Sequence, residues 1–537
     1  MNHIHSSTKE YDAIIVGAGF SGLYQLICLR DQLGLKCVVL ETGDDVGGTW
    51  YWNRYPGARC DTESHAYSYY FSDELLKEWT WSERYPGHEE IREYMNFVAS
   101  KFDLKKDILF KQKVTSAKFI EDSNNWNVKT DNNNFKCKFL ITAVGCLSNT
   151  NIPKIKGLKD FEGSYYHTGN WPKDGVSFVN KTVGQIGTGS TGIQAVPVIA
   201  AEAKHLTVFQ RTANYSIPAR NKPLTEEFKK QVKENFQYYR DLIKRTPNAH
   251  PFEISDRLVS DVNSVEMNNI YEKAWEKGGL QFRGVFNDLV TNLEANNTAS
   301  DFIKNKINKT VLNKKFASIL SDIDHPYAGK RPPIDSNYFE TYNRDNVNLI
   351  DLRRDPIKCI NKNGIETEKN YIDLDIIVFA TGYDAMTGPL LNMNIFGKNN
   401  LKLKNVWKEG PKTFLGLQIP GFPNLFTITG PGSPSVLTNM PMAIEQHVEW
   451  IRDCISFMIK KEYTTIEASS NLAKKWGEEV NRVANKTLLP SVKHSWYLGA
   501  NIPGKPRVFM PYAGGLPRYS KICDDVKKNN FEDFILA

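Results

Sequence analysis

The sequence predicts an α/β protein in which two Rossmann-like units share one chain with a helical insertion. Three observations predict it. A buried strand, a glycine turn and a helix follow one another near the N-terminus; the same grammar returns around residue 187; and residues 223–328 carry helical period between that second unit and a later apolar strand.

The 537 residues suffice for a large core and two or three domains. Lys and Arg number 68 against 61 Asp and Glu, a net +7 that is interspersed along the chain, so no nucleic-acid partner is expected. The cysteines Cys28, Cys37, Cys60, Cys137, Cys146, Cys359, Cys454 and Cys523 are scattered without a CxxC pair, which excludes a zinc-type metal site or a disulfide framework and suits a reducing compartment. The N-terminal MNHIHSSTKEYD has no apolar core behind a basic start, and no apolar run reaches the roughly 18 residues of a membrane span. The expectation is a cytoplasmic protein with no membrane and no obligate protein partner.

Taken in order, YDAIIV (11–16) is a short apolar run typical of a strand buried on both faces. It enters GAGFSG (17–22). The following LYQLICLRDQLG places Leu23, Ile27 and Leu33 on a helix ending near Gly34, and CVVLE (37–41) is the next strand. The second unit reads TVGQI (182–186) as strand, GTGSTG (187–192) as turn, IQAVPVIAAEA as helix and HLTVFQ (205–210) as strand. IDLDIIVFA (372–380) is read as one strand ending at ATGYD. In the insertion, Phe228, Val232, Phe236, Tyr239 and Ile243 mark one helical face, expected to line the second nucleotide unit. Ile444, Val448 and Ile451 form another amphipathic stripe. The partition is residues 1–147 and 380–537 for the first nucleotide domain, 148–222 and 329–379 for the second, and 223–328 for the insertion.

In each GxGxxG turn the first glycine permits the bend, the second admits a pyrophosphate to the backbone, and the third allows helix and strand to pack closely. The end of the next strand separates the two units. After the first turn that strand ends in Glu41, where a carboxylate accepts the ribose hydroxyls of an unphosphorylated adenosine, as in FAD or NAD. After the second it ends in Arg211 and Thr212, a guanidinium and a hydroxyl suited to the 2′-phosphate of NADP. An FAD-type site followed by an inserted NADP-type site is the layout of a two-dinucleotide flavoprotein, and ATGYD (380–384) fits the return from the second domain to the first.

Between the two units lies FEGSYYHTGNWP (161–172), without helix or strand period. Phe161, Gly163, His167, Trp171 and Pro172 match the pattern FxGxxxHxxxWP, and the chain thereby resembles the type I Baeyer-Villiger monooxygenases. The resemblance continues through GGTWYWNRYPGARCD (47–61), GKRPPIDSNYFETYNRDNV (329–347), GPGSPSVLTNMP (430–441) and HSWYLGANIPGKPR (494–507), nearly the whole chain. Carried over residue by residue, it implies FAD held by Gly17, Gly19, Ser21, Gly22 and Glu41, with Thr49, Trp50, Tyr51, Trp52, Asp61, Tyr67, Val114 and Met440 along the flavin. It implies NADPH held by Gly187, Thr188, Gly189, Ser190, Thr191, Gly192 and Ile193, with Arg211, Thr212 and Lys330 around the 2′-phosphate. Arg59, Cys60, Arg331 and Trp496 would lie along the rest of that cofactor.

The implied activity is conversion of ketones to esters or lactones with NADPH and O2 through a flavin C4a-peroxide, with sulfoxidation as a side reaction. Arg331 would be the catalytic arginine and Asp61 its carboxylate partner. A planar, permanently charged guanidinium suits stabilisation of a developing oxyanion. Without the resemblance, Arg331 in KRPP reads as a loop cation, Asp61 as a cap and Trp496 as core packing. His167 reads as structural rather than as a general base, since this chemistry calls for none. Two alternatives stand beside this reading. One is an N- or S-oxygenating flavin monooxygenase, disfavoured by Trp171 and Pro172; the other is a flavin- and NADP-binding redox protein without oxygenation, disfavoured by Arg331 and Asp61.

Overall fold

Two sheets, one mixed and one parallel, organise the chain, and each grows from one of the glycine-turn units. The computed structural model describes residues 8–537; most of the N-terminal stretch weighed as a secretory signal lies outside them. In the first sheet Lys9–Val16 lies between Asn134–Thr142 and Cys37–Leu40, parallel to both, with Ile15 opposite Ile141 and Val39. Val114–Ile120 and Asn125–Thr130 extend it as an antiparallel meander, Ile108–Leu109 closes one edge, and Leu425–Thr427 returns to pair with Asn134–Thr142. The all-buried run Ala13 to Val16 accounts for its unbroken apolar sequence, since both faces are covered.

The second sheet is wholly parallel, in the order Val347–Asp351, His205–Gln210, Thr182–Ile186, Ile376–Phe379, Ser164–His167. Both glycine turns therefore open at the carboxyl ends of central strands, where open α/β sheets form their ligand crevices.

Three expectations change. The run 372–380 is two strands: Tyr371–Asp373 belongs to a small antiparallel sheet with Ile357–Asn361 and Gly364–Thr367, whereas Ile376–Phe379 joins the parallel sheet. Asp375 enforces the break, because its side chain accepts from Thr182 N at 2.8 Å while its carbonyl accepts from Ser164 N at 3.0 Å. Second, the stretch 161–172 is not aperiodic coil throughout; Ser164–His167 is an edge strand. Third, the insertion does not line the second unit alone. Its helices Glu226–Glu234 and Phe236–Arg245 pack into the core of the first unit, the former through Val232 and the latter through Tyr239 and Ile243, with His65 edge-on to both Phe228 and Tyr239. The helices Ser264–Lys277, Leu293–Thr310 and Lys314–Ser321 instead bury Tyr271, Phe302, Ile303 and Leu320 in the core of the second. The Met440–Lys460 helix buries Ile444, Val448 and Ile451 as its stripe predicts, packed on the Phe20–Leu26 helix.

Candidate active site

Gly17 ends the first strand at φ +107, and a Cβ there would lie 2.6 Å from the carbonyl oxygen of Ala143; one on Gly22 would lie 1.8 Å from that of Gly17. Both positions exclude a side chain, so strand and helix meet as closely as the sequence pattern requires. The Phe20–Leu26 helix starts at Gly19 with no side-chain cap, which leaves its first N–H groups for an anion. Glu41 braces the same turn: Oε2 accepts from Ala18 N at 2.7 Å and Oε1 from Gly43 N at 2.6 Å. Burial pushes this carboxyl up, and the N–H groups of Gly43, Ala18 and Thr42 only partly pull it back. Each carboxylate oxygen retains a second acceptor site, so the arrangement fits the ribose of FAD.

The next residues form a short helix, Thr49–Trp52. Trp50 Nε1 donates to the Tyr67 hydroxyl at 3.1 Å and the two rings meet edge to face, bringing those two expected flavin neighbours together. Tyr51 donates to Asp44 at 2.6 Å. Thr49 is exposed and Trp52 half-buried; Ser21 and Val114 are buried, and Met440 opens the long helix.

The second turn repeats the first. Gly187 has φ +110, and Gly192 would place a Cβ 2.3 Å from the Gly187 carbonyl. A Cβ on Gly189 would meet nothing within 4 Å, and the Ser190–Glu202 helix that follows has no side-chain cap, so the turn is an open cradle beside exposed Ser190. Thr191 and buried Ile193 continue that helix. Thr188 donates to the Thr212 carbonyl at 3.0 Å, tying the turn to the end of the neighbouring strand. Beyond it, burial and the nearby charge of Arg211 push Lys330 down, against the pull of Asp324. Arg211 and Lys330 make no side-chain hydrogen bond or ion pair among the described residues. Two neighbouring cations without an anion fit a 2′-phosphate.

The segment 47–61 joins the two units. Tyr55 donates to Gln194 Oε1 at 2.7 Å and Gln194 donates back to the Arg59 carbonyl at 3.1 Å, so the second unit's helix is pinned to this segment. Arg59 pairs with Glu83 at 3.1 Å, and Cys60 is buried, its thiol pushed up by burial and by Asp61. At its end Asp61 meets Arg331. Arg331 Nε donates to Oδ2 at 2.5 Å and Nη2 to Oδ1 at 2.7 Å, while Nη1 donates to the Val436 carbonyl at 2.8 Å. Both side chains are 21 % exposed. Burial pushes the Asp61 carboxyl up, but the Arg331 guanidinium reverses this and holds it below the ordinary range; burial lowers Arg331 less than Asp61 raises it. The pair is therefore fully charged at neutral pH. Trp496 is half-buried, its ring 4.5 Å from that of buried Tyr497.

The fingerprint is structural. Phe161 belongs to a small core beneath the second sheet, Gly163 lets Asp375 approach, and Trp171 packs on Tyr166 and Phe178 ahead of Pro172. His167 accepts at Nδ1 from Gly169 N at 3.0 Å and lies edge-on to Tyr383; burial pushes it down to about 4, so it is neutral. Tyr383, from ATGYD, donates to Asn53 of the first unit and accepts at its carbonyl from Asn501 at 2.8 Å.

Sequence reasoning missed His250, Arg283 and Tyr497, whose charges and dipoles reach Arg331, and the Val436 carbonyl. His250 and Arg283 come from the insertion, where no motif marks them. A carbonyl leaves no mark on residue type at all.

The family model described as FMO-like, flavin-binding monooxygenase-like, matches residues 11–228. Cyclohexanone 1,2-monooxygenase from an Acinetobacter species is 42 % identical over 534 residues, spanning 98 % of this chain and 97 % of that protein. Among solved structures, an oxidised steroid monooxygenase bound to NADP superposes with a TM-score of 0.93 at 45 % identity, covering 98 % of this chain and 99 % of that one. A closed cyclohexanone monooxygenase superposes with a TM-score of 0.97 at 38 % identity, covering 99 % and 100 %.

Proposed function

The chain belongs to the flavin-binding monooxygenase-like family as a type I Baeyer-Villiger monooxygenase, and on that premise we propose that Arg331, held by Asp61, is the group that stabilises negative charge on the ketone oxygen. The enzyme converts ketones to esters or lactones with NADPH and FAD. FAD and NADPH, which the first and second glycine turns would hold, supply the electrons and activate dioxygen when bound. The rest falls to the chain.

One observation carries the proposal. Of the five N–H donors of a guanidinium, Arg331 uses three, two on Asp61 and one on Val436. Two remain, one on each terminal nitrogen, fixed in direction by the bonds their neighbours make. Donors so held need no reorganisation as an oxyanion develops. Asp61 supplies orientation and keeps the guanidinium's position when charge changes nearby. Trp50, Tyr67 and Met440 would line the flavin, and Gly189, Ser190, Arg211 and Lys330 would hold NADPH. The partition into residues 1–147, 148–222, 223–328, 329–379 and 380–537 accords with this reading, as does a cytoplasmic location, since all eight cysteines are unpaired.

Arg331→Ala tests it. NADPH should still bleach the flavin, whereas ester formation from a ketone should fall by about two to three orders of magnitude, followed by mass spectrometry. Oxygenation at the parental rate would remove Arg331 from this role.

A further inference from the structure

Arg283 stands on the short turn Leu280–Gly284 of the insertion, half-buried, and makes no hydrogen bond or ion pair among the described residues. The backbone beneath it is fixed. Ser255 N donates to the Gly284 carbonyl at 2.8 Å, and buried Phe282 packs edge-on to Tyr327 with ring centroids 5.6 Å apart. The Arg283 charge reaches Arg331, Tyr497 and Tyr327, and together with burial and Arg331 it keeps His250 neutral. Asp61 already compensates Arg331, so Arg283 is the uncompensated cation of this cluster. The ring of Tyr327, against which the adjoining Phe282 packs, carries a hydroxyl that is buried with no hydrogen-bond partner among the described residues. A half-buried guanidinium without a counter-charge and a buried hydroxyl without an acceptor are both unfavourable, and an anion would satisfy them.

We propose that Arg283 and Tyr327 form an anion subsite, so that the preferred ketones carry a carboxylate or comparable anionic group remote from the carbonyl. This deepens, and rests on, the Baeyer-Villiger reading. The NADPH phosphates have their own donors at the second glycine turn and at Arg211 and Lys330, which leaves Arg283 for the substrate. Binding the anion at Arg283 would hold the other end of the molecule toward the two unused N–H groups of Arg331.

The test compares kcat/KM for aliphatic and cyclic oxo acids with that for their methyl esters, with KM for NADPH measured alongside. The holoenzyme should favour the acids by about 10- to 100-fold, the range of one charged hydrogen-bonded pair. Arg283→Met should bring the acid-to-ester ratio close to one, mainly through KM. Arg283→Lys should restore part of the ratio, and Tyr327→Phe should lower it less. An effect of Arg283→Met confined to the KM for NADPH would overturn the proposal and assign Arg283 to the cofactor. Equal use of acids and esters by the parent enzyme would overturn it while leaving the Baeyer-Villiger assignment intact. Failure to form ester from any ketone would remove both.

Discussion

At Arg331 a single residue collects the work of three segments distant in sequence: Asp61 orients it from one side, Val436 from another, and the KRPP loop supplies its backbone. The residue types were legible from the family pattern, but the bidentate geometry was not, because a guanidinium can meet a carboxylate end-on or side-on. The same scale governs coenzyme choice. Replacing both Arg211 and Lys330 by Ala should raise the KM for NADPH by about 10- to 100-fold and leave that for NADH little changed, since only the former carries the phosphate. An equal rise for both coenzymes would place these cations elsewhere. A further residue matters for stability. Glu445 in the Met440–Lys460 helix is buried, accepts from the N–H groups of Tyr70 and Phe71, and burial pushes its carboxyl up to about 8. A carboxyl raised on folding contributes stability that is whole below its unfolded value and lost as pH rises through the folded one. The Tm should therefore fall between about pH 5 and about pH 9, and Glu445→Gln should flatten that decline. A slope unchanged in the variant would locate it in other groups.

At the scale of elements, periodicity found the two βαβ units because strands buried on both faces and glycine turns leave plain marks. Where the signal was local it stood close to the structure, as at Thr182–Ile186 and His205–Gln210. It failed at Ile372 to Ala380, a largely apolar stretch that two different sheets share, because the side-chain pattern does not register which strand the backbone pairs with. It failed also at Ser164–His167, an edge strand only four residues long whose partner lies some two hundred positions later. That strand explains a glycine in the fingerprint. Gly163→Ala would place a Cβ 2.4 Å from the Asp375 carbonyl, which must shift. The expected loss is about 1–3 kcal/mol of stability, with the KM for NADPH raised and flavin content retained. Loss of flavin with NADPH binding intact would show that the edge strand supports the first sheet rather than the second.

Across the whole molecule, the insertion clasps both units, its first two helices on one core and its later helices on the other. Polar ties cross between the units at several points. Asp61 holds Arg331, Tyr55 and Gln194 link the segment 47–61 to the second unit's helix, Tyr383, just past that unit's Ile376–Phe379 strand, reaches Asn53, and Lys173, directly after the fingerprint, pairs with Asp44. The last is exposed on both sides, where solvent screens the pair and it adds little. Tyr383 is half-buried where the chain leaves the second sheet for the first unit, so its bond to Asn53 fastens the seam there and bears on how the units are held during turnover. Tyr383→Phe should cost no more than about 1.5 kcal/mol of stability yet raise the hydrogen peroxide released per NADPH consumed. Unchanged coupling would mean that the seam is held elsewhere.

The sequence by itself determined the two βαβ units and the family, because these depend on short segments whose backbone leaves no choice of residue, such as a glycine where a Cβ would strike a carbonyl. Tertiary structure alone decided which atoms meet Arg331, how the insertion divides between two cores, and that Arg283 stands uncompensated beside it. Those facts rest on through-space contacts between segments far apart in the chain, and nothing in the residues nearby in sequence records them.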